Sequence, residues 1–194
     1  MKVPLRYQIT EFDCGSVSLI NCISYLFDRQ DIPPELLRAI TTYTLDCYDE
    51  YGNLGQGGTS REAIRLISKW ITDFSNRKDF GIRCEYLQGE SVTLDRIRKW
   101  TNKGGCVNFR CWHIDNEHYV MITKVDKDFV YLFDPYYLAK DHYEKNKDVD
   151  IILDEPFIAN RKVAIDYFDS EVKKDFTLGP VSKREALLIR KEQK

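Results

Sequence analysis

Gln8 stands six positions ahead of Cys14 in the stretch Gln8-Ile9-Thr10-Glu11-Phe12-Asp13-Cys14-Gly15, and a helical apolar pattern opens at that cysteine. These residue types at this spacing suit nucleophilic thiol chemistry. A thiol in a first helical turn feels the positive end of the helix dipole, and an amide donor placed shortly before it can stabilise an oxyanion. A cysteine nucleophile also needs a base, and the chain offers three histidines, His113, His118 and His142. His118 opens one expected strand and Asp134 closes the next. In an antiparallel pair that brings imidazole and carboxylate to the same end of the sheet, so the chain order Gln8, Cys14, His118, Asp134 reads as oxyanion donor, nucleophile, base and orienting residue.

Each of these residues also has a plainer reading. A free cysteine is most often a small buried hydrophobe, Asp134 before Pro135 suits a turn, Gln8 suits a surface amide, and a histidine at a strand end can face water. The set Cys106, Cys111, His113 and His118 superficially resembles a zinc site. However, Cys106 and Cys111 have opposite parity on a strand and lack a Cys-x2-Cys knuckle, so two buried thiols and a hairpin histidine are expected instead, with no metal.

The elements that must position this chemistry can be read from periodicity. Val17, Leu19, Ile20, Ile23, Leu26 and Phe27 recur at helical spacing behind Cys14, with Asp13 placed to cap them. A short helix over Glu35 to Tyr43 is expected after Pro33-Pro34. Asp46 to Gly58 carries Tyr48, Tyr51 and four glycines, the composition of a surface loop or lid. A capping box of Thr59 and Glu62 is expected to start a third helix through Phe74. Ile82 to Leu87 reads as a strand, and Leu94, Ile97 and Trp100 share one face of a helix beginning near Ser91 or Thr93.

Cys106 to Trp112, His118 to Val125 and Phe129 to Phe133 then read as a three-stranded antiparallel meander, joined by Asp115-Asn116-Glu117 and Asp126-Lys127-Asp128. Pro135 stops the third strand. Arg161 to Phe168 suggests a further strand, and Val181 to Lys194 a basic terminal helix. Tyr136, Tyr137 and Tyr143 are read as packing, with a peptide groove as the alternative, and His142 as exposed. Helices followed by sheet is α+β order.

Gln8 to Asp13-Cys14-Gly15, then Gly58-Thr59-Ser60 before a helix, then His118-Tyr119-Val120 and Asp134-Pro135, together resemble the bacteriocin-processing, double-glycine leader peptidases, which are papain-like cysteine peptidases. The resemblance spans roughly Val3 to Pro135. It implies a papain-like cysteine proteinase fold with N-terminal helices packed on an antiparallel sheet, in a stand-alone member without transporter domains. Residues 1–135 would form the peptidase domain, and 136–194 a C-terminal extension adding a strand and a terminal helix to it. By the same resemblance Cys14 attacks the scissile carbonyl, His118 exchanges the proton, Asp134 holds the imidazole, and Gln8 with the backbone N–H of Cys14 forms the oxyanion hole.

Composition bounds the alternatives. The chain of 194 residues is 43% hydrophobic, enough for one sizeable core. With 29 basic against 31 acidic residues, no charge excess points to nucleic acid or an anionic membrane. No apolar run approaches the ~18–20 residues of a membrane span, and the first residues lack the pattern of a signal peptide, so the chain reads as cytoplasmic with its six cysteines reduced. The expected function is a cysteine peptidase cleaving a peptide or precursor protein after small residues, with no cofactor. An acyltransferase using the same site, or a non-catalytic peptide-binding module, are the alternatives.

Overall fold

The computed structural model describes residues 1–113 and 116–192. Its spine is a seven-stranded, wholly antiparallel sheet in the order β1-β7-β2-β3-β4-β6-β5. The strands are β1 Ile82–Gln88, β2 Cys106–His113, β3 Asn116–Val125, β4 Phe129–Phe133, β5 Val149–Ile151, β6 Arg161–Ala164 and β7 Glu185–Lys191. The meander read from the sequence is β2-β3-β4, with Cys111 opposite His118 and Met121 opposite Phe133. Of the expected turn Asp115-Asn116-Glu117, Asn116 and Glu117 already belong to β3, paired with His113 and Trp112, so His118 does not open the strand; Asp115 lies outside the described residues.

Both faces of the sheet are covered. Helices α1 (Cys14–Leu26), α2 (Pro34–Tyr43) and α3 (Arg61–Lys78) pack Leu19, Ile23, Ile40, Ile64 and Ile67 against Cys106, Tyr119, Met121, Phe133, Leu187 and Ile189. The opposite face buries Val107, Phe109, Cys111, Val120, Ile122 and Leu188 beneath α4 (Leu94–Thr101) and the short α5 (Ile165–Phe168). Alternation along each strand sends neighbouring side chains to different layers. Cys106 and Cys111 therefore sit in separate cores. No described helix is long and apolar enough to cross a membrane.

Four local expectations are corrected. Val181 to Lys194 is not a terminal helix: a single 3-10 turn (Val181–Lys183) leads into β7, which inserts between β1 and β2. Glu185 to Ile189 are all buried, and a strand covered on both faces loses the alternation that marks a half-exposed one. Gln193 and Lys194 lie outside the described residues. Arg161 to Phe168 is a strand only to Ala164 and then turns into α5. Ser60, not Thr59, caps α3 by accepting a hydrogen bond from the Ala63 N–H, while Glu62 pairs with Arg65. Asp13 does not cap α1 with its side chain, because its carboxylate accepts from the backbone N–H groups of Ile9 and Thr10 instead.

Candidate active site

Cys14 opens α1, whose first-turn N–H groups receive no side-chain cap. The positive helix end is thus left to act on the thiol. Gly15 lets this end approach the loop before α3: a Cβ there would sit 2.6 Å from Thr59 Oγ1 and 2.7 Å from Thr59 Cβ. The helix mouth is thereby pressed against Thr59, which lines the same cavity as Cys14.

His118 enters from β3, buried at 6% exposure. Its Nε2 lies 2.7 Å from Asp134 Oδ1, which leaves the other ring nitrogen for Cys14. The thiol of Cys14 is lowered from its ordinary range: burial opposes ionisation, but hydrogen bonding and charge from His118 outweigh it, aided by the backbone N–H groups of Tyr119 and Gly15. For His118, burial likewise disfavours the charged form, and Asp134 with Cys14 overcomes this and pushes the imidazole up to about 10. Asp134 is held below the usual carboxylate range, since His118 and Arg161 outweigh the cost of its burial. This arrangement stabilises a thiolate beside an imidazolium relative to a free thiol and a free imidazole.

Asp134 is itself fixed from every side. Arg161 Nη2 donates to its Oδ2 at 3.1 Å, the Tyr136 N–H donates to Oδ1 at 2.8 Å, and Asn160 brackets its backbone with bonds of 2.7 and 2.8 Å. Arg161 is 1% exposed and also donates to the carbonyls of Asn160 and Tyr136. Neither Asn160 nor Arg161 stood out in the sequence. Arginine is rarely fully buried unless paired, and the only available signal was its place at the start of an expected strand that follows Asp134 in the chain.

Gln8 is not brought to the cavity in the same way as Cys14 and His118. Its amide N–H donates to the Thr10 carbonyl at 2.7 Å, its Oε1 is buried without a hydrogen-bond partner among the described residues, and it is absent from the cavity lining. Its backbone is nevertheless tied to the site, because the Gln8 N–H donates to the carbonyl of Pro135 at 2.9 Å.

The cavity has a volume of about 590 Å3. Gln56, Gly57, Gly58 and Thr59 form one wall, Arg110, Glu117 and Tyr119 another, and Glu11, His113 and Tyr136 lie along it with Cys14 and His118. The loop before α3 thus borders the site. Of the three tyrosines read as packing, Tyr136 lines the cavity, Tyr143 is buried in the core, and Tyr137 is exposed with its ring edge-on to Tyr7. His142 is exposed and does not line the cavity.

The sequence matches no protein-family model and no curated protein. Among solved structures it is similar to a double glycine motif protease from an AMS/PCAT transporter in complex with the leader peptide (14% identity, 98% of this chain and 92% of that one, TM-score 0.47). A second is the peptidase domain of Streptococcus ComA, a bifunctional ABC transporter involved in quorum sensing (11% identity, 98% of each chain, TM-score 0.48). A third is described as a C39-like peptidase from Bacillus anthracis (15% identity, 99% of this chain and 96% of that one, TM-score 0.54). The likeness to this third structure runs along essentially the whole of both chains and is one of architecture. With α1 to α3 laid on an antiparallel sheet and Cys14 at the mouth of the first helix, the chain has the papain-like α+β fold of the C39-type peptidases.

Proposed function

We propose that the protein is a cysteine peptidase that hydrolyses a peptide or precursor-protein bond through a thioester on Cys14. The observation that carries this reading is the buried contact chain from Cys14 to His118 to Asp134, with the thiol lowered and the imidazole raised by one another. The Cys14 thiolate attacks the scissile carbonyl carbon, and the carbonyl electrons move onto oxygen. The backbone N–H of Cys14, unused by the helix, faces that developing charge. The C–N bond then breaks as the imidazolium of His118 gives its proton to the departing amine, leaving a thioester and a neutral imidazole. Water next attacks the thioester while His118 takes its proton, and expulsion of the thiolate releases the acid.

Asp134 keeps the ring oriented, and Arg161 keeps Asp134 ionised. Gln8 is the second oxyanion donor in this reading, supported by its place six residues before Cys14 and its backbone tie to Pro135. Its amide has a second N–H beyond the one bound to Thr10. Residues 136–194 belong to the catalytic unit, because β7 and Arg161 come from that stretch. Cleavage after small residues is the specificity implied by the sequence resemblance.

Iodoacetamide labelling across pH, mapped to individual cysteines, tests the mechanism without a known substrate. Cys14 is expected to react well below pH 8 and faster than the other five cysteines, and His118→Ala should slow it at neutral pH by about tenfold or more. Uniform labelling of all six thiols would remove the nucleophile from this account.

A further inference from the structure

His113 ends β2 and is 7% exposed, with its ring on the cavity wall. The ring centroid lies 5.4 Å from that of His118, 5.3 Å from that of Tyr136 and 6.2 Å from that of Phe176. Both ring nitrogens are closed to solvent and neither has a hydrogen-bond partner among the described residues, although Nδ1 stands 3.6 Å from Asp175 Oδ2. A buried polar group left unsatisfied is destabilising, and a phenylalanine between Tyr136 and Phe176 would avoid that cost. An imidazole kept on a cavity wall under those conditions is suited to a partner that arrives with the ligand.

The chemistry at Cys14 indicates which part of the ligand that is. The departing amine must receive its proton from His118, so the chain beyond the scissile bond leaves past that imidazole. His113 and Tyr136 lie next to His118, whereas the Gln56 to Thr59 wall adjoins the mouth of α1 through Thr59 and Gly15. We propose that His113 is a substrate-binding residue for the leaving half of the peptide, its imidazole hydrogen-bonding the backbone of the segment that follows the scissile bond. With Nδ1 turned to Asp175, Nε2 is the atom left for the peptide group, and meeting it requires the ring to shift toward the cavity, since that nitrogen is closed to solvent. Tyr136, ring to ring with both histidines, sets the orientation. This assignment rests on the peptidase reading.

The test is a titration of the Cys14→Ala protein with tetraalanine amide, whose free amino terminus mimics the departing half, followed through the ring nitrogens of the histidines by NMR. The His113 signals are expected to move saturably. Adding His113→Phe should weaken binding by about fivefold or more, and His113→Gln, which keeps a donor and an acceptor, should restore most of it. A His113 signal that does not move, or equal affinity with Phe, overturns the proposal. A purely structural role would show instead as a lowered melting temperature and slowed Cys14 alkylation in single His113→Phe, unrescued by Gln. Binding needs no turnover, so peptide bound at His113 in a protein whose Cys14 is unreactive would count against the peptidase reading alone.

Discussion

At the scale of single residues, the site is a chain of opposed charges in which every member alters the next. Arg161 fixes Asp134, Asp134 raises His118, and His118 lowers Cys14. The pH dependence follows from the two directions. In the proposed reaction, Cys14 as nucleophile is protonated below its depressed value, and His118 as general acid is lost above its raised one. The profile of kcat/KM should therefore rise through an apparent value below the ordinary thiol value of 9.0 and fall near 10. An alkaline limb near 6.5, the ordinary histidine value, would show that Asp134 does not act on the ring. The juxtaposition of Cys14, His118 and Asp134 was legible in the sequence because a thiol, an imidazole and a carboxylate differ in type and were expected near element ends, although His118 is in fact the third residue of β3. Arg161 was not, since nothing local distinguishes an arginine that reaches a buried carboxylate from one that reaches water.

At the scale of elements, the positions that matter are where helix ends and strand ends meet. The mouth of α1 touches the loop before α3 through Gly15 and Thr59, and Gly15→Ala would place a methyl group within 2.7 Å of two atoms of that threonine. Overpacking of this kind costs about 1–3 kcal/mol, and the displaced helix mouth should slow Cys14 alkylation as well. Urea denaturation together with the alkylation rate checks this. Unchanged values for both would mean the contact is slack. The helix behind Ser60 was readable because it has one wet face, so its period survives in the sequence; α1 and the β2-β3-β4 meander are covered on both sides and were readable instead from apolar spacing and from runs of β-branched and aromatic residues cut by polar turns. The final strand was not. The run Glu185-Ala186-Leu187-Leu188-Ile189 is rich in residues that favour helices, and only its neighbours β1 and β2 make it a strand. The cap of α3 was misread by one residue, Thr59 for Ser60, because two adjacent hydroxyl residues offer the same local signal.

At the scale of the whole molecule, the sheet is a wall between two cores, and its strand order does not follow the chain. Leu188 is fully buried beneath α4 and α5, and Leu188→Ala is expected to cost about 2–5 kcal/mol, read as a lower midpoint in urea with the slope retained. A loss below about 0.5 kcal/mol would mean that β7 is a loosely held edge and not a central strand. The placement of β7 also bears on how the protein is made. A ribosome delivers β1 and β2 roughly a hundred residues and eighty residues before it delivers β7, yet these two strands touch only through it. Until then β1 and β2 each lack the partner that joins them in the finished sheet. A strand without its partner is a place where one unfinished chain can take up another.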